Sequence, residues 1–153
     1  MPAGLTFGRY RDEDQDAVWS VFAATTAQLG FALGPWDEDM RTITRTYLDS
    51  GGEFIVGELA GCTVAHAAFL QETPGRAYVR RVAVHPAVQR RGIGQALMRE
   101  LEASAGSQGI SSLYLDASVG QAAAQRLYQK CGYQEVGRVI LGGVECIRYE
   151  KYL

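Results

Sequence analysis

Cysteine is scarce in this 153-residue chain, and the three present, Cys62, Cys131 and Cys146, fall at no metal-ligand or redox spacing. An odd, scattered set of this kind excludes a disulfide framework and a zinc cluster, and reads as reduced packing residues with no metal expected. Long apolar runs are missing as well. Nothing approaches the ~20 apolar residues of a membrane span, and Met1-Pro2-Ala3-Gly4-Leu5 passes into charged residues without an apolar signal core. The expectation is a cytoplasmic protein without a membrane partner. Neither sign of charge forms a run and the formal net charge is −2, so a nucleic-acid partner is not expected. Internal repeats and linkers are absent too. What is there, 47% hydrophobic and 21% charged residues, suits one soluble core, and residues 1–153 read as a single domain.

One stretch organises the chain. Val82-Ala83-Val84-His85-Pro86-Ala87-Val88-Gln89-Arg90-Arg91-Gly92-Ile93-Gly94-Gln95 reads as a strand end, a short loop and a helix start. Two glycines where a helix begins leave its free N–H groups open to an anion, the positive end of the helix dipole adds to the attraction, and Arg90 and Arg91 supply cations beside it. The familiar nucleotide loops do not fit. A dinucleotide fingerprint needs a third glycine where Leu97 stands, and the Gly-Lys-Ser/Thr of a P-loop is absent.

What fits is Gln-x-x-Gly-x-Gly behind a Val-x-Val-x-Pro strand end, which resembles the acyl-CoA-binding motif of the GNAT superfamily of N-acyltransferases. A second stretch supports the resemblance. Gln121 to Tyr133 is similar to the family's late-helix pattern Asn-x-x-Ala-x-x-Leu-Tyr-x-x-x-Gly-Phe, with Gln121 where the family commonly has Asn. The resemblance implies acetyl-CoA as cosubstrate, Val82, Ala83 and Val84 along its pantetheine arm, and Gln89, Arg90, Arg91, Gly92, Ile93, Gly94 and Gln95 around its pyrophosphate. Gln121 and Tyr128 would flank the same ligand.

In chain order, Leu5 to Tyr10 alternates as a strand with one buried face. Asp12-Glu13-Asp14 opens a helix with Ala17, Val18, Val21, Phe22 and Leu29 at helical spacing, and Trp36-Asp37-Glu38-Asp39 opens a second with core residues Met40, Ile43, Tyr47 and Leu48. After Gly51-Gly52 the period changes. Phe54 to Leu59 and Cys62 to Leu70 form a hairpin at Ala60-Gly61, and Ala77 to Val84 is the third strand of an antiparallel meander. A helix from about Gly92 to Ala105 presents Ile93, Leu97 and Leu101 on one face. Leu113 to Leu115 is a short buried strand, Ala122 to Cys131 a helix closed by Gly132, and a last hairpin turns at Gly142-Gly143. The order matches an α/β (α+β) class GNAT fold, a mixed central sheet of about seven strands flanked by about four helices.

The reaction that the resemblance implies is direct transfer of an acetyl group from acetyl-CoA to the primary amine of a small molecule or peptide. Tyr128 stands at the family's position for the acid that protonates the departing thiolate; its ordinary pKa of ~10 lies above the ~8.5 of a thiol, so its loss should slow the reaction without abolishing it. Backbone N–H groups near Val82 are candidates for the thioester oxyanion. For the base, Glu72, Asp116 and His66 are the candidates, and an α-amine needs one far less than a lysine-like amine. Arg80 and Arg81 should point to opposite strand faces, so one of them, taken as Arg81, can face an acidic acceptor. Phe31 and Trp36 fall in the segment that forms the family's variable acceptor wall. A homodimer through the carboxy-terminal strands is a further expectation. The alternative from another class is a non-catalytic coenzyme A sensor on the same fold, favoured if Trp36 or Phe31 plugs the pocket.

Overall fold

The computed structural model describes residues 2–153. One seven-stranded sheet runs through it: β1 (Leu5–Arg9), β2 (Glu53–Leu59), β3 (Cys62–Thr73), β4 (Arg76–Val84), β5 (Ser112–Ser118), β6 (Gln134–Leu141) and β7 (Val144–Tyr152). Their order across the sheet is β1-β2-β3-β4-β5-β7-β6, antiparallel except between β4 and β5. Those two are parallel because a helical crossover joins them, α2 (Ile93–Ser107). α2 and α3 (Ala122–Lys130) cover one face of the sheet, while α1 (Gln15–Gln28) and the segment from Pro35 to Leu48 cover the other. No helix of the described residues is long and apolar enough to cross a membrane.

The first core follows from the α2 periodicity. Ile93, Leu97 and Leu101, with Met98 beside them, are fully buried against Phe69, Ala77, Val79, Leu113 and Leu115. Cutting Leu97 or Leu101 to alanine would cost about 2–5 kcal/mol. A second core joins Val18 and Phe22 of α1 to Met40, Ile43, Tyr47 and Phe54 on the opposite face.

Several expectations are corrected. The second helix is not a continuous α-helix but a 3-10 stretch, Pro35–Arg41, kinked at Asp37, followed by a π turn, Thr44–Leu48. Competing local bonds explain the break. The Asp37 carboxylate accepts from the Gly34 N–H at 3.0 Å, the Thr42 hydroxyl donates to the Glu38 carbonyl at 3.1 Å, and Thr42 itself leaves helical geometry at φ −133°. Met40, Ile43 and Tyr47 are buried all the same. Ala17 lies on the exposed face of α1, and Leu29, just beyond the end of α1 at Gln28, stands half-exposed at the cleft rather than in the core. Cys62 is exposed at the start of β3 and packs nothing, whereas Cys146 is buried. β5 spans seven residues, longer than the three apolar ones that announce it.

Two irregularities position the site. β4 and β5 pair only from Arg76–Tyr78 to Ser112–Tyr114, after which the β5-facing edge of β4 has no strand partner. A bulge also interrupts the pairing of β4 with β3, where His66 pairs with Ala83 but Ala68 with Arg80. Arg81 sits in that bulge at φ 57°, a left-handed conformation that costs a non-glycine residue about 1–3 kcal/mol.

Candidate active site

Where β4 and β5 part, a cleft of about 340 Å³ opens, reaching from Tyr128 and Gln121 to Leu29, Phe31 and Trp36. One side of it is assembled from backbone. Val82, Ala83 and Val84 lie on the unpartnered stretch of β4, and Val82 and Ala83 line the cleft. The chain then turns through a 3-10 segment, Pro86–Val88, which the His85 imidazole shapes by accepting from the Ala87 N–H at 3.1 Å. Gln89 spends its amide on the protein. It donates to the Val84 carbonyl at 2.9 Å and exchanges two hydrogen bonds with Gln28, closing the loop against α1. Arg90 at φ 65° and Gly92 at φ 81° bend the backbone into α2, which no side chain caps. Its first intrahelical bond runs from Ala96 to Gly92, so the N–H groups of Ile93, Gly94 and Gln95 have no partner within the helix. Arg90 and Arg91 flank them, exposed. Gly94 has a packing reason of its own: a Cβ there would meet the Leu127 methyls at 3.1 and 3.2 Å, so its absence lets α3 approach α2.

α3 carries Tyr128 into this cleft. Its ring is buried against Tyr133 and Tyr149, and its hydroxyl makes no hydrogen bond among the described residues. Burial raises its pKa well above the ordinary value, with the nearby Cys131 adding to the effect, so the hydroxyl stays protonated. Gln121 borders the cleft while its amide oxygen accepts from the Ser118 N–H at 3.3 Å, fastening the β5–α3 turn.

The opposite side is assembled from side chains bound to one another. The Arg81 guanidinium meets the Asp39 carboxylate at 2.6 and 2.9 Å and Asp37 at 3.3 Å, and lies 5.1 Å over the Phe22 ring. The Tyr47 hydroxyl donates to the same Asp39 at 2.6 Å. Burial opposes the Asp39 charge, but the hydrogen bonds from Arg81 and Tyr47 prevail and hold its pKa below the ordinary carboxylate range. Arg81 lines the cleft, but its guanidinium is spent on these carboxylates. It clamps the Pro35–Arg41 segment to β4. The alternation argument fails here because the bulge inserts one residue: Val79 and Val82 both pack on the α2 core, leaving Arg80 and Arg81 together on the other face.

The base candidates are dispersed. Asp116 lines the cleft, but Arg148 closes on it at 2.9 and 3.0 Å and the Tyr78 hydroxyl donates to it at 2.8 Å. Glu72 lies outside the cleft, exposed near the β3–β4 turn, where it accepts from the Tyr114 hydroxyl. His66 is fully buried and stacked on Phe54. Its Nδ1–H donates to the Arg81 carbonyl at 2.6 Å, which leaves Nε2 as a bare acceptor with no partner. Burial pulls its pKa down to about 4, the bond to Arg81 opposing and the Arg81 charge assisting, so the imidazole is neutral at pH 7. Phe31 and Trp36 stand at the rim, 49% and 68% exposed, and do not plug the cleft. Asp39 falls in the segment expected to form the acceptor wall and Tyr47 among the expected core residues, but their bonds to Arg81 and to each other, and the roles of Tyr78 and Arg148, were not foreseen. No local sequence signal marks them, since each acts through partners distant in the chain.

Comparison with known proteins places this geometry in context. The Acetyltransferase (GNAT) family model matches residues 17–133. The Mus musculus protein named Probable N-acetyltransferase family 8 member 5 is 36% identical over 105 residues, covering 65% of this chain and 46% of its own length. This chain thus spans about half the length of that relative. Among solved structures, an acetyltransferase from Streptococcus agalactiae superposes with a TM-score of 0.89 at 15% identity, over 99% of this chain and 100% of its own. A Salmonella typhimurium protein solved with its cofactor acetyl-CoA gives 0.78 at 18% identity, over 97% and 94%.

Proposed function

The chain belongs to the acetyltransferase (GNAT) family, and from that premise we propose that it is an acetyl-CoA-dependent N-acetyltransferase acting on a primary amine of a small molecule or peptide. One observation carries the reading. The unpaired β4 edge and the free Tyr128 hydroxyl line one open cleft, and the loop that leaves β4 leads directly to the uncapped start of α2. The residues fit acetyl-CoA, which supplies an acyl thioester whose C–S bond is exchanged for the C–N bond of an amide.

Each group then has a task. The N–H groups of Gly92, Ile93, Gly94 and Gln95, with Arg90 and Arg91, take the pyrophosphate. The backbone of Val82, Ala83 and Val84 takes the pantetheine amides as a further strand would, and a Val82 N–H polarises the thioester carbonyl. Tyr128 gives its proton to the departing sulfur. Its raised pKa does not defeat this, because the same dry cleft destabilises a thiolate in the same direction. The amine's proton leaves to water, since neither Asp116 nor Glu72 is free to take it. Phe31 and Trp36 form the acceptor rim, and their open placement favours an enzyme over a sensor. Residues 1–153 act as one domain, and the exposed Val136, Ile140 and Val144 of the β6–β7 hairpin support a homodimer through the carboxy-terminal strands.

Calorimetric titration with acetyl-CoA, followed by thiol release against a panel of amines, tests the proposal. Micromolar or tighter binding with release on some amine supports it. Binding without release on any amine would move the reading to the sensor, and no binding would overturn it.

A further inference from the structure

Three charged residues line the cleft, and the protein neutralises two of them. Arg81 lies between Asp37 and Asp39, and Asp116 is closed by Arg148 and Tyr78. Arg80 is the third. Among the described residues no carboxylate lies within ion-pair distance of it, and it donates no hydrogen bond. It is half-buried, on the sheet face that the bulge shares with Arg81, and its charge is felt at Asp39, Tyr47 and Tyr78. A guanidinium held in a cleft with its donors unspent is a carboxylate site in waiting, because its planar fork matches two carboxylate oxygens at once.

The missing base points the same way. Asp116 is engaged on both oxygens, Glu72 is outside, and His66 borders the cleft with no exposed surface. An isolated lysine-like amine, with a pKa of ~10.4, would arrive almost wholly protonated and find nothing to discharge it. An amine near a half-buried guanidinium is different, since the cation favours the neutral form of its neighbour. Arg80 and Val82 stand on either side of the bulge at Arg81 and both line the cleft, so a carboxylate on Arg80 and an amine beside the Val82 N–H belong to one compact molecule.

We infer that Arg80 anchors a carboxylate of the acceptor, and that the acceptor is an amine carrying that carboxylate close by, as an α-amino acid does. The inference rests on the transferase reading and narrows it to a substrate class. Arg80 selects the acceptor, and by pairing with its carboxylate it offsets the negative charge that would otherwise hold the neighbouring amine protonated, which lightens the need for a general base.

The test compares amino acids with their carboxamides, which keep the α-amine and lose the anion. Thiol release by the wild-type protein should favour the carboxylate by about 10-fold or more in kcat/KM, and Arg80→Gln should bring that ratio toward one, with Arg80→Lys between them. Equal use of both acceptors, or an unchanged ratio in Arg80→Gln, would overturn the inference while leaving the transferase reading in place. A binding measurement covers the case of no turnover: calorimetry of N-acetylphenylalanine and N-acetylphenylalaninamide with the coenzyme A-saturated protein. Selective binding of the acid, lost in Arg80→Gln, supports the carboxylate site even if the transferase reading fails; equal or absent binding of the acid counts against it. Unchanged acetyl-CoA affinity and thermal midpoint show that the variants are folded.

Discussion

The two sides of the cleft are built on opposite plans. On the donor side, backbone groups are left without partners: the β4 edge beyond Tyr78, the start of α2, and with them the Tyr128 hydroxyl. On the acceptor side, side chains find one another, Arg81 with Asp37 and Asp39, Tyr47 with Asp39, Arg148 and Tyr78 with Asp116. The first plan stores binding capacity in rigid secondary structure and costs the fold little, because water satisfies what a ligand does not. The second stores stability, and it leaves one group over, Arg80. Substitutions on the acceptor side should therefore unfold the protein, and those on the donor side should cost only binding or rate.

The largest effect expected is on the acceptor side. Arg81→Ala strands two carboxylates, Asp39 11% and Asp37 4% exposed, and should lower stability by about 2–4 kcal/mol in urea unfolding. A loss under 1 kcal/mol would show that the clamp is dispensable and break the comparison. Next comes Tyr128→Phe on the donor side, expected to lower kcat by about 10- to 100-fold with a thermal midpoint near that of the wild type. A slowdown tracking lost stability instead would make Tyr128 a packing residue.

Between the two sides lies His66, whose effect is one of pH. Its pKa is about 4 folded against ~6.5 unfolded, so the neutral ring adds stability above pH 6.5 that is lost as the pH falls toward 4. From pH 7 to 5 the loss should be about 2 kcal/mol, and His66→Gln should flatten that slope; an equal slope in the variant would assign it elsewhere. The smallest effect belongs to the exposed donor-side cations. Arg90→Ala with Arg91→Ala should weaken acetyl-CoA binding about 5-fold, more at low salt than high, and leave stability within about 0.5 kcal/mol.

The same contrast explains what was legible in the sequence. The meander, α2 with Ile93, Leu97 and Leu101, and the Gly-rich loop are local patterns, and local patterns can be read from spacing. Tyr128 stands out in the sequence because its helix resembles a recurrent motif, and the structure places it at the cleft. The acceptor side was misread because it depends on pairings between residues far apart, such as Asp39 with Arg81. The decisive failure was the bulge: a single inserted residue reversed the assignment of Arg80 and Arg81, and nothing in the run Tyr78-Val79-Arg80-Arg81-Val82 announces it. The second helix failed for a related reason, threonine and aspartate side chains competing with the backbone for its own hydrogen bonds.

Arg81 serves two masters through one residue. Its carbonyl takes the His66 proton and its left-handed backbone sets the direction of the chain at Val82, while its guanidinium grips the acceptor wall. A glycine there would accept the backbone turn without strain and abandon the wall; most other residues would keep neither. Mutational drift at Asp37 or Asp39 is therefore not free to retune that wall alone, because it is transmitted through Arg81 to the unpaired edge of β4. Lineages that change acceptor should vary at Arg80, Phe31 and Trp36 while Arg81 and its carboxylates are inherited as a block, and a library for altered specificity is best confined in the same way.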